Sequence, residues 1–368
     1  LHPGDVRRPA APPPPAIPPQ VITVAAPSGQ YSRAWREQSW AALADEHGRA
    51  PFDLLLSVSA GGQGLISRAR RELNLPAVVI LHGTIGGDWR TRWRDRRSLR
   101  GWYRMGRYAA QVPGQVRRWR AVRADVARWI AVSNEVKADW VREMAVEPAL
   151  VAVVPNGVDV ARFRPDPIGG LAARATVGVP DKAPLLVGVG RLEEEKGFQV
   201  AIRALAALGE RLPDARLVIA GDGVFRRRLE RLIRRLKLAE RVTLLGHRPN
   251  AELPALLAAA DGFVLPSLRH EGFPVVIAEA LAAGLPVLAS RAGGTPSAIE
   301  DGLNGRLLPI GDVQAWAAAL AELLGDERRR RAQGALARQI AAARFSEQAM
   351  LDATEQVLLA AVEAPWTS

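Results

Sequence analysis

The sequence predicts an α/β fold with two parallel-sheet domains, and three observations lead to this prediction. Short apolar runs alternate with longer helical stretches along most of the 368 residues, a pattern typical of parallel strands joined by crossover helices. A chain of this length is expected to form about two domains. In the second half, each predicted strand also leads into a loop that contains glycine, as many ligand-binding loops of open α/β sheets do.

In the first half, residues 1–20 are rich in proline and are expected to be extended or loose. A helix is predicted over residues 35–47, and a second one ends near Leu73. Ser133 precedes another helical stretch and is a residue type that caps helix starts well. The predicted strands of this half cover residues 21–26, 52–59, 77–81, 128–132 and 152–155.

In the second half, strands are predicted over residues 185–189, 216–220, 242–245, 262–265 and 286–290, with helices between them. One of these helices begins at Pro274, a residue favoured at the first helical position, and ends near Ala283. Gly284 then provides the left-handed residue that often follows a helix. A last amphipathic helix is predicted over residues 347–362.

Composition excludes several classes of protein. The chain has no cysteine, which excludes disulfides and thiolate metal sites, and its five histidines show no metal-ligand spacing. No apolar run approaches the roughly 18–20 residues of a membrane span. The first residues lack the charged and then apolar pattern of a signal peptide. We therefore expect a cytoplasmic protein.

Two glutamates mark the candidate site. Glu271 comes just before the helix that begins at Pro274, and Glu279 lies one to two turns inside it. The backbone N–H groups of Gly272, Phe273 and Val275 would face out of the helix start, where an anion or a ring of hydroxyls can be held. Two carboxylates beside an anion site suit a nucleotide sugar. The alternative is that Glu271 only complements the helix dipole and that Glu279 is solvated.

Two cations follow the strand over residues 185–189. Arg191 and Lys196 flank a predicted helix start, and this arrangement suits a diphosphate. The three acids at 193–195 would repel phosphate if they pointed inward, so we expect them to face solvent. The alternative interpretation is an exposed helix start without a ligand.

These residues also carry a family resemblance. Glu271 and Glu279, with seven residues between them, match the two-glutamate motif of the retaining GT-B glycosyltransferases of family four, the glycosyl transferases group 1. Residues 266–274, 283–290, 293–296 and 301–305 resemble the same family, and residues 155–165 resemble its domain junction. Ser297 departs from the pattern, because the family usually carries Glu there, and we expect one helix-cap contact to be weaker.

The resemblance implies the GT-B architecture, in which two Rossmann-like parallel-sheet domains face each other across a cleft. It implies an acceptor-side domain over residues 1–165, a nucleotide-sugar-binding domain over 166–345 and a final helix over 346–368 that crosses back to the first domain. The resemblance is strong over residues 150–310 and loose before about 125. We find no counterpart of the family's opening strand, Gly-rich loop and helix, so we expect either a reduced first domain or a fragment.

The implied reaction is transfer of a hexose, with retention, from a UDP- or GDP-sugar to an acceptor hydroxyl of a glycan or glycolipid. The family uses no metal, and the sequence has no Asp-x-Asp cluster. By resemblance, the diphosphate is bound by Arg191 and Lys196, the sugar by Glu271 and the ribose by Glu279. The remaining site residues implied are Gly223, the Gly272, Phe273 and Val275 backbone, His247 for the base, and His82 for the sugar. His82 is otherwise an ordinary histidine at a strand end.

A basic and aromatic segment covers residues 88–128. It holds 13 Arg against three Asp, with Trp and Tyr interleaved, and residues 1–165 carry a net charge of +11 against +1 for the rest. Arg and Trp on amphipathic segments suit an anionic membrane surface, which would be the inner face of the membrane. A phosphate-bearing acceptor and a solvated arginine-rich helix pair stay open, whereas nucleic acid is the partner we do not favour.

Two other functional classes also stay open. One is a GT-B enzyme of another reaction, a nucleotide-sugar epimerase or a phosphorylase. The other is a non-catalytic protein, either a transferase-like partner or a basic binding protein. The absent Gly-rich loop favours the second class, whereas the complete set of Arg191, Lys196, Glu271 and Glu279 argues against it.

Overall fold

The computed structural model describes residues 33–95 and 99–363, and the chain divides into two units, residues 1–52 and 53–368. The described part of the first unit is helix α1 (Arg33–Arg49) with the residues that follow it. Arg49 pairs there with Asp45 at 2.7 Å and with Glu46 at 2.6 Å. The strand predicted over residues 21–26 and the proline-rich start lie outside the described residues.

The second unit contains two sheets in which all neighbouring strands run parallel, as the alternating pattern predicted. The first sheet has the order β1-β2-β3-β4 and consists of β1 (Leu55–Val58), β2 (Ala77–Leu81), β3 (Val126–Ala131) and β4 (Val151–Val153). The second has the order β10-β9-β8-β5-β6-β7 and consists of β5 (Leu185–Val189), β6 (Arg216–Ala220), β7 (Val242–Gly246), β8 (Gly262–Leu265), β9 (Val287–Ser290) and β10 (Gly305–Leu308).

Helices connect these strands. They are α2 (Ile66–Leu73), α3 (Ile85–Asp95), α4 (Leu99–Val122), α5 (Asn134–Met144), α6 (Pro167–Thr176), α7 (Phe198–Leu208), α8 (Arg226–Arg235), α9 (Leu253–Ala258), α10 (Val275–Ala282), α11 (Thr295–Ala298), α12 (Val313–Gly325), α13 (Glu327–Arg344) and α14 (Glu347–Glu363). Helix α14 packs on the first sheet, where Ala361 joins a cluster with Val78 and Ile130. The predicted divisions after residues 165 and 345 fall between β4 and β5 and between α13 and α14.

Two strand predictions need correction. The strand predicted over residues 52–59 is shorter, because only Leu55–Val58 pairs with β2 and Phe52 is exposed. Strand β10 was not predicted at all. It lies at the edge of the second sheet beside β9. Because Arg306 interrupts it, the strand forms neither a continuous apolar run nor a regular alternation of apolar and polar residues.

The order of the second sheet positions the candidate site. Strand β5 lies between β8 and β6, so the chain reverses its direction of progress across the sheet at this point. The loops that follow β5 and β8 therefore leave the sheet side by side and open a crevice. Arg191 and Lys196 lie in the first of these loops and Glu271 lies in the second.

A largely buried ion pair stabilises the same sheet at the start of strands β5 and β8. The carboxylate of Asp261, at the start of β8, accepts hydrogen bonds from Arg174 at 2.8 Å, from the Leu185 N–H at 2.8 Å and from Arg330 at 3.4 Å. These donors belong to α6, β5 and α13. The side chain of Arg174 is almost fully buried, so its charge depends on this carboxylate.

We expect Asp261→Ala to lower the free energy of unfolding by about 3–5 kcal/mol, because it leaves the buried guanidinium of Arg174 unpaired. Urea denaturation followed by circular dichroism would measure the change. Glu327→Gln is the matched control, since it breaks an exposed pair with Arg331 and should cost less than about 1 kcal/mol. Equal effects of the two substitutions would contradict the assigned role of Asp261.

Candidate functional site

A cavity of about 310 Å³ opens where the carboxyl ends of the two sets of strands meet. The predicted site residues that line it are His82, Arg191, Lys196, Glu271, Gly272 and Phe273. Other lining residues were not predicted as site residues, and they include Arg90, Glu135, Asp139, Asn156, Arg269 and His270. The fold thus brings the loops after β2, β5 and β8 together around one space.

The backbones of three loops come very close to one another beside the cavity. A Cβ atom on Gly272 would lie 1.9 Å from the carbonyl oxygen of His82, and one on Gly294 would lie 1.7 Å from the carbonyl oxygen of Gly272. Only glycine permits these distances. Because His82 follows the first sheet whereas Gly272 and Gly294 belong to the second, the two sheets meet directly beside Glu271.

Glu271 and Lys196 form an ion pair within the cavity. The Lys196 Nζ lies 3.0 Å from both carboxylate oxygens of Glu271, and the Ser267 hydroxyl donates to Oε1 at 3.0 Å. The two charged side chains are only 14% and 18% exposed. The predicted cation and the predicted acid are therefore bonded to each other, a contact that the sequence alone did not predict.

The three acids after β5 differ from the prediction that all of them face solvent. Glu193 pairs with Arg191 at 2.5 Å, and Glu195 pairs with Arg269 at 3.1 Å. Only Glu194 has a mainly exposed side chain. Glu193 and Glu195 are partly buried because Arg191 and Arg269 supply nearby cations, and none of the three acids is among the residues that line the cavity.

His82 lines the same cavity from the end of the first sheet. It directly follows β2, and desolvation lowers the pKa of its imidazole. At neutral pH the ring is therefore mainly uncharged and can both donate and accept a hydrogen bond. Its position suits contact with a polar ligand in the cavity.

The wall on the side of the first sheet is charged. Asp139 of α5 pairs with Arg90 and Arg142 and accepts a hydrogen bond from the Thr84 hydroxyl at 3.2 Å. Asp139 is largely buried, so these donors are needed to satisfy it. No motif identified this cluster beforehand, because Thr84 and Arg90 lie 55 and 49 residues from Asp139 in the sequence.

Ser297 lies at the start of α5, next to this charged cluster. Its hydroxyl accepts the Asn134 N–H at 3.1 Å, at the start of α5, and donates to Glu135 at 2.6 Å. The departure from the family pattern therefore leaves a hydrogen bond at the start of α5. Serine also removes a carboxylate that would stand next to Glu135.

Glu279 lies outside the cavity, on α10. Burial raises the pKa of its carboxyl, and the positive charge of Arg162 opposes that rise. Within residues 33–95 and 99–363, no group donates a hydrogen bond to this carboxylate. A partly buried acid without a donor is costly, so its surroundings are suited to a ligand that supplies hydroxyl groups.

The remaining predicted residues are placed at the same sheet edge but not in the cavity. Gly223 follows β6, and a Cβ there would lie 2.5 Å from the Leu192 carbonyl oxygen. His247 follows β7 and is exposed. The predicted donor site thus has an enclosed part at Lys196 and Glu271 and an open part along β6 and β7.

The start of α10 contributes its backbone rather than its side chains. In the described part of the chain, the N–H groups of Gly272, Phe273 and Val275 have no acceptor. The ring of Phe273 is buried and packs on Phe345 with 5.4 Å between centroids, whereas Val275 is exposed. Three orphan donors at one helix start favour an anion or hydroxyl oxygens.

The basic segment divides between surface and core. Trp102 and Tyr103 are 53% and 67% exposed, and Trp89 and Trp93 are exposed as well. Tyr108 and Trp119 are buried, and Trp119 packs on Trp129 and Trp140 with centroid distances of 5.6 and 5.2 Å. Only the exposed aromatic residues are thus available to a partner, and the prediction that treated the segment as one surface is corrected.

Residues 33–95 and 99–363 contain neither a metal-binding cluster nor a membrane-spanning helix. No group of three or more His, Asp or Glu side chains is placed to hold a metal ion. No helix there has the length and apolar character needed to cross a membrane.

Comparison with known proteins links both halves of the chain to one group of enzymes. The family description "Glycosyl transferases group 1" matches residues 172–340, and "Glycosyltransferase Family 4" matches residues 2–162. The GDP-mannose-dependent alpha-(1-6)-phosphatidylinositol monomannoside mannosyltransferase of Mycolicibacterium smegmatis is 40% identical over 191 residues, which are 50% of this chain and 50% of that protein.

The D-inositol 3-phosphate glycosyltransferase of Corynebacterium urealyticum is 40% identical over 202 residues, which are 53% of this chain and 47% of that protein. This chain spans about half the length of the curated relatives it matches.

Solved structures share the fold. A glycosyltransferase of Rickettsia africae superposes with a TM-score of 0.77 at 17% identity, over 94% of this chain and 85% of that one. Anabaena HepE in complex with UDP gives a TM-score of 0.69 at 25% identity, over 86% and 80% of the two chains. The predicted GT-B architecture is confirmed. With both family descriptions matching consecutive parts of the sequence, the chain belongs to the family-four glycosyltransferases of the group 1 type.

Proposed function

We propose that this chain transfers a hexose from a nucleotide diphosphate sugar to an acceptor hydroxyl, with retention and without a metal ion. The proposal rests on one observation. Arg191, Lys196 and Glu271, from the loops after β5 and β8, line the same cavity. Cations and a carboxylate at one cavity suit a ligand that combines phosphates with sugar hydroxyls.

The diphosphate would lie at the start of the loop after β5. The Lys196 ammonium has three N–H donors, of which two point to Glu271. The third can reach a phosphate oxygen while the ion pair stays intact. Arg191 is mainly exposed, and among the described residues its guanidinium pairs with Glu193 alone, so a phosphate can replace that partner at small cost. Both cations would stabilise the charge that develops on the leaving diphosphate.

The transferring sugar would occupy the cavity between the sheets. Glu271 would accept hydrogen bonds from sugar hydroxyls, and the orphan N–H groups at the start of α10 would donate to sugar oxygens. The neutral His82 would contact the sugar from the opposite side. Holding the ring between two sheets orients its reacting carbon toward the acceptor, which is where misplacement costs rate.

The nucleoside would lie along the open part of the site. A ribose offers two hydroxyl donors, and no donor to Glu279 exists among the described residues. The base would rest near His247. The named relatives differ in their nucleotides, since one is GDP-mannose-dependent and the solved HepE structure holds UDP. Both bases are therefore candidates for this chain.

The acceptor would be a glycan or a lipid-linked polyol. Both curated relatives are named for inositol-containing acceptors, and a phosphorylated polyol suits a wall that contains Arg90 and Asp139. Exposed Trp102 and Tyr103 next to several arginines favour association with an anionic membrane surface, where a lipid-linked acceptor would be found.

We expect release of nucleoside diphosphate from UDP- or GDP-hexose to require an acceptor and to be insensitive to a chelator. Inositol 3-phosphate and phosphatidylinositol mannoside are the first acceptors to test, and NMR of the product would report the anomeric configuration. Lys196→Ala should reduce turnover by about 10²–10³-fold, the loss typical of a removed charge-stabilising donor.

The same assay separates the alternatives. Sugar conversion without an acceptor would identify an epimerase, and release that depends on phosphate would identify a phosphorylase. A strict need for magnesium or manganese would contradict the metal-free mechanism. Absence of turnover with intact nucleotide binding would favour a non-catalytic protein.

The two glutamates should respond differently to substitution. Glu279→Gln should weaken binding of the free nucleoside diphosphate by about 10- to 150-fold, the value of a charged hydrogen bond. Glu271→Gln should leave that affinity unchanged or raise it, because it frees Lys196 from its acidic partner, while turnover falls. Isothermal titration with UDP and GDP measures both.

Glu194→Gln is the matched control for the two glutamate variants, since Glu194 lies in the loop after β5 but has a mainly exposed side chain. It should bind nucleotides as the unchanged chain does. If Glu271→Gln weakens binding of the free nucleotide as much as Glu279→Gln does, the assigned roles are wrong.

We expect the chain to sediment with anionic vesicles and to lose this binding as salt rises, because each cation near the surface contributes about 1 kcal/mol before screening. Arg107→Gln, beside exposed Tyr103, should weaken binding about fivefold, whereas substitution of the exposed Arg331 of α13 by Gln should not. Equal binding to neutral vesicles, or tighter binding to nucleic acid, would count against a membrane partner.

A further inference from the structure

The segment between the two sheets runs along α10. The Asn156 side chain donates to the Phe273 carbonyl at 3.5 Å, just before the helix begins. At the other end of the helix, Arg338 donates to the carbonyls of both Phe163 and Ala282, at 2.8 and 2.9 Å. Residues 156–163 therefore pass Glu279, which lies in the middle of α10.

Arg162 lies on this segment and is held in place although it is exposed. Its N–H donates to the Asp159 carboxylate at 2.9 Å, and its guanidinium lies 5.2 Å from the ring centroid of buried Phe163. The guanidinium also donates to the carbonyl oxygen of Asn250. Asn250 follows β7 and comes three residues after His247.

Arg162 thus connects two parts of the site that lie on separate elements. Its hydrogen bond holds the loop after β7, where the base would rest. Its charge acts on the carboxylate of Glu279, since Arg162 opposes the raised pKa of that group. Arg338, the neighbouring cation from α13, is occupied by two backbone carbonyls.

We propose that Arg162 is a positioning residue for the nucleoside half of the donor. By tying the loop after β7 to the segment beside α10, it keeps the base seat at His247 and the ribose carboxylate of Glu279 at a fixed separation. The inference rests on the proposed function. It adds a residue to the site that comes from the segment joining the two sheets rather than from a loop of the second sheet.

The test uses isothermal titration of UDP, GDP and inorganic pyrophosphate into four versions of the full chain. These are the unchanged chain, Arg162→Gln, Arg162→Lys and the control Arg164→Gln. Arg164 is an exposed arginine on the same segment, and it makes no hydrogen bond or ion pair within the described residues. Pyrophosphate reports on the phosphate part of the site, because it lacks the base and the ribose.

We expect Arg162→Gln to weaken binding of the nucleoside diphosphate about tenfold, the value of one charged hydrogen bond. Binding of pyrophosphate should stay unchanged. Arg162→Lys should recover part of the loss because it keeps the charge, and Arg164→Gln should have no effect. This split separates positioning of the nucleoside from a general distortion, which would weaken both ligands.

Three outcomes would overturn the inference. Equal loss of pyrophosphate and nucleotide binding in Arg162→Gln would mean that the substitution only distorts the site. Unchanged nucleotide binding in Arg162→Gln, with weaker binding in Glu279→Gln, would remove Arg162 from the site and leave the proposed function standing. If the unchanged chain binds pyrophosphate but neither nucleotide, the proposed function fails and this inference fails with it.

Discussion

The cleft depends on one close approach, in which the backbone of Gly272 lies against the carbonyl oxygen of His82. A side chain at position 272 would bring its Cβ within 1.9 Å of that oxygen, so it would push the loop of Glu271 away from the first sheet. The bonds from Lys196 and Ser267 then hold the same loop from the second sheet. Glu271 is thereby fixed between two sheets, in a position that neither sheet could define alone.

The same loop shows how cations are kept ready for an anionic ligand. Arg191 and Lys196 each pair with an acid, so the fold does not hold two unpaired positive charges side by side. The two pairs differ in strength, because exposed pairs contribute little whereas buried ones are costly to separate. Arg191 can therefore exchange Glu193 for a phosphate, while Lys196 would add a phosphate and keep Glu271.

The sequence predicted the strands of the second sheet well where apolar runs are bounded by glycine, as at β5, β6 and β8. It also singled out Lys196 and Glu271, because each lies in the loop that follows such a strand, and both residues line the cavity. It could not predict that these two side chains bond to each other, since they are 75 residues apart and meet only through the strand order of the sheet. The burial of Trp119 and the exposure of Trp102 were equally inaccessible, because both are aromatic residues in one arginine-rich segment and only packing separates them.

The arginines show why composition alone could not locate the function. Arg174 is buried and pairs with Asp261, Arg123 donates to a carbonyl at the end of α5, Arg107 lies over an exposed tyrosine, and Arg162 reaches the loop after β7. The four guanidinium groups are chemically identical, and each has a stem long enough to reach several elements. Their roles differ because the fold supplies a different neighbour to each one. The net charge of +12 counts all arginines alike. The contacts of individual arginines, and not their number, therefore identify those that can bind a ligand.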